Sequence, residues 1–194
     1  MDSVVPCQEH DERGFTMVEV MIASVILVVG ILSLAYAFGM GLGVMGTAQE
    51  DSIARQKARQ AMEDVFTARD TGGITFSQIC NVGSGSSCIF VSAFEPLYTA
   101  GPDGLVNTAD DGTGTPLPTG CSVTPCIETI DTPGPDGILG TADDVFVPLI
   151  GYQRQVQITQ LSAILNQITV TIKYTTSTGI SRSVTLVALI GPYV

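Results

Sequence analysis

Six aspartates stand in the same arrangement twice. The segment GPDGLVNTADDG, starting at Gly101, recurs 33 residues later as GPDGILGTADDV, starting at Gly134, so Asp103, Asp110 and Asp111 align with Asp136, Asp143 and Asp144. Three carboxylates inside nine residues of a turn-rich loop repel one another unless a cation sits among them. Ca2+ takes about six to eight oxygens, and loop carbonyls such as those of Leu105 or Ile138 would complete a set begun by the carboxylates. Two Ca2+ sites are therefore expected, one per repeat, with Gly104 and Gly137 letting the chain wrap tightly. The spacing is not that of an EF-hand. The plainer alternative is a pair of solvated acidic turns, since Asp-Gly is a common turn dipeptide.

The cysteines are the second chemically capable set. Cys80 and Cys88 bracket CNVGSGSSC, and Cys121 and Cys126 bracket CSVTPC. Four such residues in an extracytoplasmic region imply disulfides. Three pairings are open, and proximity in sequence favours the local one. A shared zinc fits poorly, because neither spacing is the C-x2-C of zinc ribbons. Cys7 has no apolar region before it, which excludes a lipoprotein cysteine. One histidine, His10, serves the whole chain and stands ahead of the long apolar run, and there is no tryptophan. Ser-His-Asp, Cys-His and His-ligated metal chemistry lack their parts, no phosphate-binding G-x-x-x-x-G-K occurs, and an enzyme is not expected.

These side chains sit in a chain of 194 residues with a net charge of −11 and no Lys or Arg between Arg69 and Arg154. Such a balance repels a phosphate backbone and argues against nucleic acid. Hydrophobic residues make up 45% of the chain, and one segment accounts for much of this excess: no charged side chain occurs from Val20 to Gln49. As a helix, Val20 to Phe38 spans about 28 Å, enough to cross the hydrocarbon core of a bilayer. A cleaved secretory signal would have a shorter apolar region behind a basic stretch. Here the preceding MDSVVPCQEHDERG is polar and carries four acids against Arg13. The apolar run is expected to be a membrane helix, with Glu19 alone near its start.

Residues 12–27, ERGFTMVEVMIASVIL, resemble the N-terminal processing motif of type IV prepilins and of the pseudopilins of type II secretion. The resemblance implies that prepilin peptidase cuts between Gly14 and Phe15 and methylates Phe15, which becomes the new N-terminus. It also implies that Glu19 is the acidic residue at the fifth mature position. The partners implied are the peptidase, the inner membrane before assembly, and other pilin subunits. The leader departs from the family in being acidic overall, although Arg13 keeps the local pattern. A lone carboxylate in an apolar span is costly and needs a partner. Glu19 would meet the freed amine of its own chain one helical turn away or, among staggered parallel helices, a neighbour's positive terminus, which would also set the register. Farther along, Gly39, Gly41, Gly43 and Gly46 weaken the helix and permit close packing.

The expected organisation follows. Residues 1–14 are a leader, 15–46 a transmembrane and polymerisation helix, 47–71 its amphipathic continuation, and 72–194 a β-rich head containing the acidic double loop at 95–144. Ala54, Ala58, Ala61, Met62, Val65 and Arg69 form a stripe at helical spacing, and Gly72-Gly73 is a stop. The whole helix would run about 80 Å. In QITVTIKYTT and in SRSVTLVALI, apolar residues alternate with polar ones over much of each segment, the mark of half-buried strands, and Tyr152–Gln160 alternates less cleanly. The expected fold class is α+β, a long helix packed on an antiparallel sheet. The closing pattern is similar to that of minor pilins. The function expected is a structural subunit of a pilus-like filament, inserted first in the bacterial inner membrane and assembled into an extracellular pilus or periplasmic pseudopilus. The alternatives are a minor pseudopilin of a type II secretion system and a membrane-tethered Ca2+-dependent adhesin.

Overall fold

The structure, a computed structural model, describes residues 14, 16–114, 116–117, 119–177 and 179–192. Helix α1, Met17–Asp70, contains no proline and runs through its five glycines without a break. It ends where expected: Gly72 takes a φ of +75°, and Ile74 N–H bonds back to Ala68 O at 3.1 Å. Such a left-handed residue after the last turn satisfies carbonyls that the helix itself leaves open.

The chain divides into two compact units at Met45–Gly46. In the first, every α1 side chain from Met17 to Met45 is exposed, and the helix is long and apolar enough to cross a membrane. Its serines need no outside partner. Ser24 Oγ donates to Met21 O and Ser33 Oγ to Val29 O, each at 2.8 Å, so both hydroxyls are satisfied within the helix. That is the condition for placing a hydroxyl in hydrocarbon.

In the second unit, α1 turns a narrow stripe of Ala54, Ala58, Ala61, Met62 and Val65 into the core. The sheet it meets has the antiparallel order β1-β4-β5-β6, with β1 Glu95–Pro96, β4 Gln153–Ser162, β5 Leu165–Thr175 and β6 Ser181–Ile190. Period-two alternation sends Val156, Ile168, Val170, Ile172, Tyr174, Val184 and Ile190 to the buried face. Alanines opposite these branched side chains let the backbones approach closely, which is how the stripe can be so small. Polar contacts fix the helix at both ends of the stripe. Tyr174 OH donates to Asp51 at 3.0 Å, Ser177 N–H to Glu50 at 2.9 Å, and Arg69 Nη1 to Gly191 O at 3.0 Å. Hydrogen bonds from Arg55 and then Tyr174 hold the Asp51 carboxyl below its ordinary range.

The segment 95–144 is more ordered than a double loop. It contributes β1 and also β2, Thr129–Thr132, which pairs antiparallel with β3, Val145–Pro148, in a separate two-stranded sheet. The second acidic repeat is the connection between these two strands.

Seating on small side chains makes the helix sensitive to added volume. Ala58→Leu is expected to cost about 1–3 kcal/mol, read as a lower thermal midpoint of the full chain in detergent. An unchanged midpoint would mean that this stripe is not a packed interface.

Candidate functional site

At the N-terminus, Thr16 and Glu19 have the spacing of a capping box. Thr16 Oγ1 accepts the Glu19 N–H at 3.3 Å, and Glu19 lies in the first turn of α1, where a negative charge complements the helix dipole. Gly14 is exposed. Phe15 lies outside the described residues, as do Cys7, His10 and Arg13. Among the described residues no cation is ion-paired with Glu19.

The two acidic repeats fold alike. Leu105 N–H donates to Asp103 Oδ1 and Ile138 N–H to Asp136 Oδ1, both at 2.8 Å. Asp103 N–H reaches Asp110 at 3.4 Å, and Asp136 N–H reaches Asp143 at 3.3 Å. Asn107 N–H meets Asp111 at 2.6 Å, and Gly140 N–H meets Asp144 at 2.6 Å. Both of those donors have positive φ, 63° at Asn107 and 89° at Gly140; Asn and Gly are residues that tolerate it. A Cβ added to Gly101 or Gly134 would lie 2.5 Å from the carboxyl carbon of Asp110 or Asp143, so each repeat needs its first glycine for the aspartate to close over the chain. The six carboxylates thus act as acceptors that shape the loops. Among the described residues no three of them converge as a metal-binding group.

Their surroundings differ sharply. Leu105 and Val106 are 0% and 3% exposed, plugged into the head core, whereas their counterparts Ile138 and Leu139 are each 60% exposed. Burial drives the Asp111 carboxyl up to about 6, against the opposing pull of the Asn107 and Thr108 donors and of Arg154. Burial, then the neighbouring charge of Asp110, are among the causes that raise Asp103. In the second repeat the Thr141 hydroxyl, 2.6 Å from Asp143, leads the causes that lower that group instead.

Asp111 leads to a cluster that sequence reasoning missed. Arg154 of β4 is 2% exposed; Nη1 donates to Glu128 Oε1 at 2.8 Å, Nη2 to Tyr98 O at 2.9 Å, and Nη2 lies 3.9 Å from Asp111. The second oxygen of Glu128 faces Lys57 Nζ of α1 at 2.7 Å, an ion pair by distance though not aligned as a hydrogen bond. One carboxylate therefore joins helix and sheet, and Arg154 carries the connection on to the first repeat. The available signal was the parity of Arg154, which shares the inward register of Val156 and Ile158 in β4.

Among the described residues two disulfides are formed, and one of them lies beside the first repeat. Cys80 bonds Cys88 with Cα atoms 4.8 Å apart, and Cys121 bonds Cys126 with Cα atoms 5.9 Å apart. Cys126 N–H donates to Gly112 O at 3.0 Å, seating the second bridge directly behind Asp111.

A family model for the prokaryotic N-terminal methylation motif matches residues 10–35. The chain carries this motif, which supports membership of the type IV pilin and pseudopilin family; the match covers the residues just ahead of α1 and its first turns. No curated protein and no solved structure shows significant similarity to the chain.

Breaking the buried cluster leaves charges stranded. Glu128→Ala strands Arg154 and Lys57 together and is expected to destabilise the head by about 3–5 kcal/mol, measured by denaturant unfolding followed on the head's tertiary signal. A loss below about 1 kcal/mol would mean that water already screens these groups.

Proposed function

We propose that the chain is a structural subunit of a type IV pilus-like filament, made as a single-pass inner-membrane precursor and polymerised through α1 with other pilin subunits. Prepilin peptidase would cut between Gly14 and Phe15 and methylate Phe15. The observation that carries this reading is the methylation motif running directly into a helix whose apolar surface, from Met17 to Met45, is exposed throughout. In such a filament that surface is covered by neighbouring helices. Glu19 interrupts it close to the processed terminus, where a neighbour's positive amine offsets the cost of the buried carboxylate.

The reading of the acidic repeats as Ca2+ sites has separate support. Their donors are hard oxygens, and in the first repeat the charge of Asp110 raises the neighbouring Asp103, a repulsion that a cation relieves. Asp103, Asp110 and Asp111 would hold one ion and Asp136, Asp143 and Asp144 the other. Binding competes with the backbone N–H groups that now hold these carboxylates.

Processing is tested by mass spectrometry of the membrane and fibre fractions, which should find Phe15 as a methylated N-terminus. A mature chain beginning at Met1, or cut after Ala23 or Ala35, would defeat the assignment. Glu19→Ala should still insert in the membrane yet fall by about tenfold or more in sheared fibres, because it leaves a neighbouring amine unpaired. For the repeats, the full chain in detergent is melted with Ca2+, Mg2+ or EDTA. Ca2+ at a hundredfold excess over its Kd should add about 2.7 kcal/mol, seen as a raised midpoint that Asp136→Ala diminishes. If Ca2+ does no more than Mg2+, the repeats are acidic turns.

A further inference from the structure

Along α1, Met17 to Gly46 is a rise of about 43 Å, the thickness of a bilayer together with its headgroups. Gly46, where the second unit begins, therefore stands in the headgroup layer when the apolar run is inserted. The turn between β5 and β6 lies beside this point. A Cβ added to Gly46 would be 3.8 Å from Ser177 Oγ, and Ser177 N–H donates to Glu50 at 2.9 Å. The turn is tied by its own hydrogen bonds: Thr176 N–H donates to Ile180 O at 2.9 Å, Gly179 N–H to Thr176 O at 2.8 Å and Ile180 N–H to Thr176 Oγ1 at 3.0 Å. It holds Ile180 57% exposed.

The same end of the sheet carries exposed cations. From Asp70 to Asp144 the sequence has ten acidic residues and no Lys or Arg; from Val145 to Val194 it has Arg154, Lys173 and Arg182 and no acid. Arg154 is buried in the ion cluster, whereas Lys173 and Arg182 are exposed. Both stand on the last rungs of the ladder before the turn, Lys173 opposite Ser183 and Arg182 opposite Tyr174. Lys173 has the outward register and Arg182 the register of the α1 side, so the two cations flank the strand ends from opposite faces. Among the described residues neither is in an ion pair. Lys173 Nζ lies 4.3 Å from the centre of the Phe94 ring, which orients the ammonium without neutralising it. The acids of α1 at this end are held on their own side: Asp51 pairs with Arg55 at 2.8 Å and accepts from Tyr174, and Glu50 accepts the Ser177 N–H.

A cavity of about 400 Å3 opens at this end, lined by Gln153, Lys173, Thr175, Ser181, Arg182 and Ser183 among others, with no carboxylate-bearing residue in its wall. Hydroxyls, an amide and cationic residues are the donors that phosphate oxygens accept from. An apolar side chain on a fixed turn, flanked by long cationic ones, suits the edge of a bilayer, where the charges reach headgroups and the apolar group enters beneath them. Charge selects the kind of lipid. An anionic surface repels the acidic block of 70–144 and attracts Lys173 and Arg182, which turns this end of the head, and not the acidic repeats, toward the bilayer.

We infer, on the reading of Met17–Met45 as a membrane span, that the β5–β6 end of the head binds the phosphate groups of anionic phospholipids, with Lys173 and Arg182 taking the headgroups and Ile180 entering the layer beneath them. The contact belongs to the inserted chain and does not depend on assembly of a filament.

The test is amide hydrogen exchange on the full chain in nanodiscs of phosphatidylcholine alone or of phosphatidylcholine with phosphatidylglycerol. Phosphatidylglycerol should slow exchange at Ser177, Gly179 and Ile180 by about tenfold. Lys173→Gln combined with Arg182→Gln should remove the difference, and Lys173→Arg combined with Arg182→Lys should keep it. Equal rates in the two bilayers would overturn the inference. So would slowing that survives in the Gln double variant, which would report only the lower local pH at an anionic surface. Loss of the difference in both double variants would overturn it too, since charge would then not be what the lipid reads. Slowing produced in phosphatidylcholine discs by soluble glycerol phosphate would overturn it in favour of a site for a free phosphate ester. A chain that does not enter the discs would instead remove the membrane span on which the inference rests.

Discussion

The head is organised around a carboxylate held between two cations. Glu128 takes Arg154 of the sheet on one oxygen and Lys57 of the helix on the other, at 2.8 and 2.7 Å. Apolar burial alone would let helix and sheet slide along the smooth alanine stripe, because small side chains offer few ridges to interlock. A buried ion cluster tolerates no such slip: a shift by one turn would leave at least one charge in the core without its partner. Arg154 extends the constraint by binding Tyr98 O and approaching Asp111, so the loop region is registered against the sheet by the same group. The Asp51–Tyr174 and Arg69–Gly191 contacts then fix the two ends of a helix segment whose middle is already set.

The repeats illustrate how one local code serves two environments. Each aspartate accepts from equivalent N–H groups, so both loops take the same internal form. What differs is where the flanking chain puts them. The first lies between β1 and the 121–126 bridge, where its apolar pair fills the core and Asn107 reaches across to Val91 O at 3.0 Å. The second hangs from a short two-stranded sheet and keeps its apolar pair outside. A rigid loop is thus structural in one position and presented to solvent in the other.

Much of this was legible from residue pattern. The alanine stripe, the three long strands and the helix stop follow from periods of 3.6 and 2 and from Gly72. The repeat was visible as text, and the glycines that allow its tight turns could be named. The β2-β3 pair was hidden because TIDT and VFVP are only four residues each, too short for alternation to stand out. Lys57, Glu128 and Arg154 are far apart in sequence, and nothing local marks a lysine on a helix as the partner of a glutamate in a loop. Which repeat would be buried was equally opaque, since Leu105-Val106 and Ile138-Leu139 are interchangeable as text and only the tertiary path separates them.

Hydrogen exchange on the full chain carrying Arg154→Met tests the role of the ion cluster most directly. Methionine keeps the apolar stem while removing the charge that links three parts of the head. The account predicts simultaneous loss of amide protection around Lys57 in α1, around Asn107 and Thr108 in the first repeat, and around Glu128 beside β2. Loss confined to the immediate neighbours of position 154 in β4 would contradict it, and would mean that packing alone holds the helix, the loop and the sheet together.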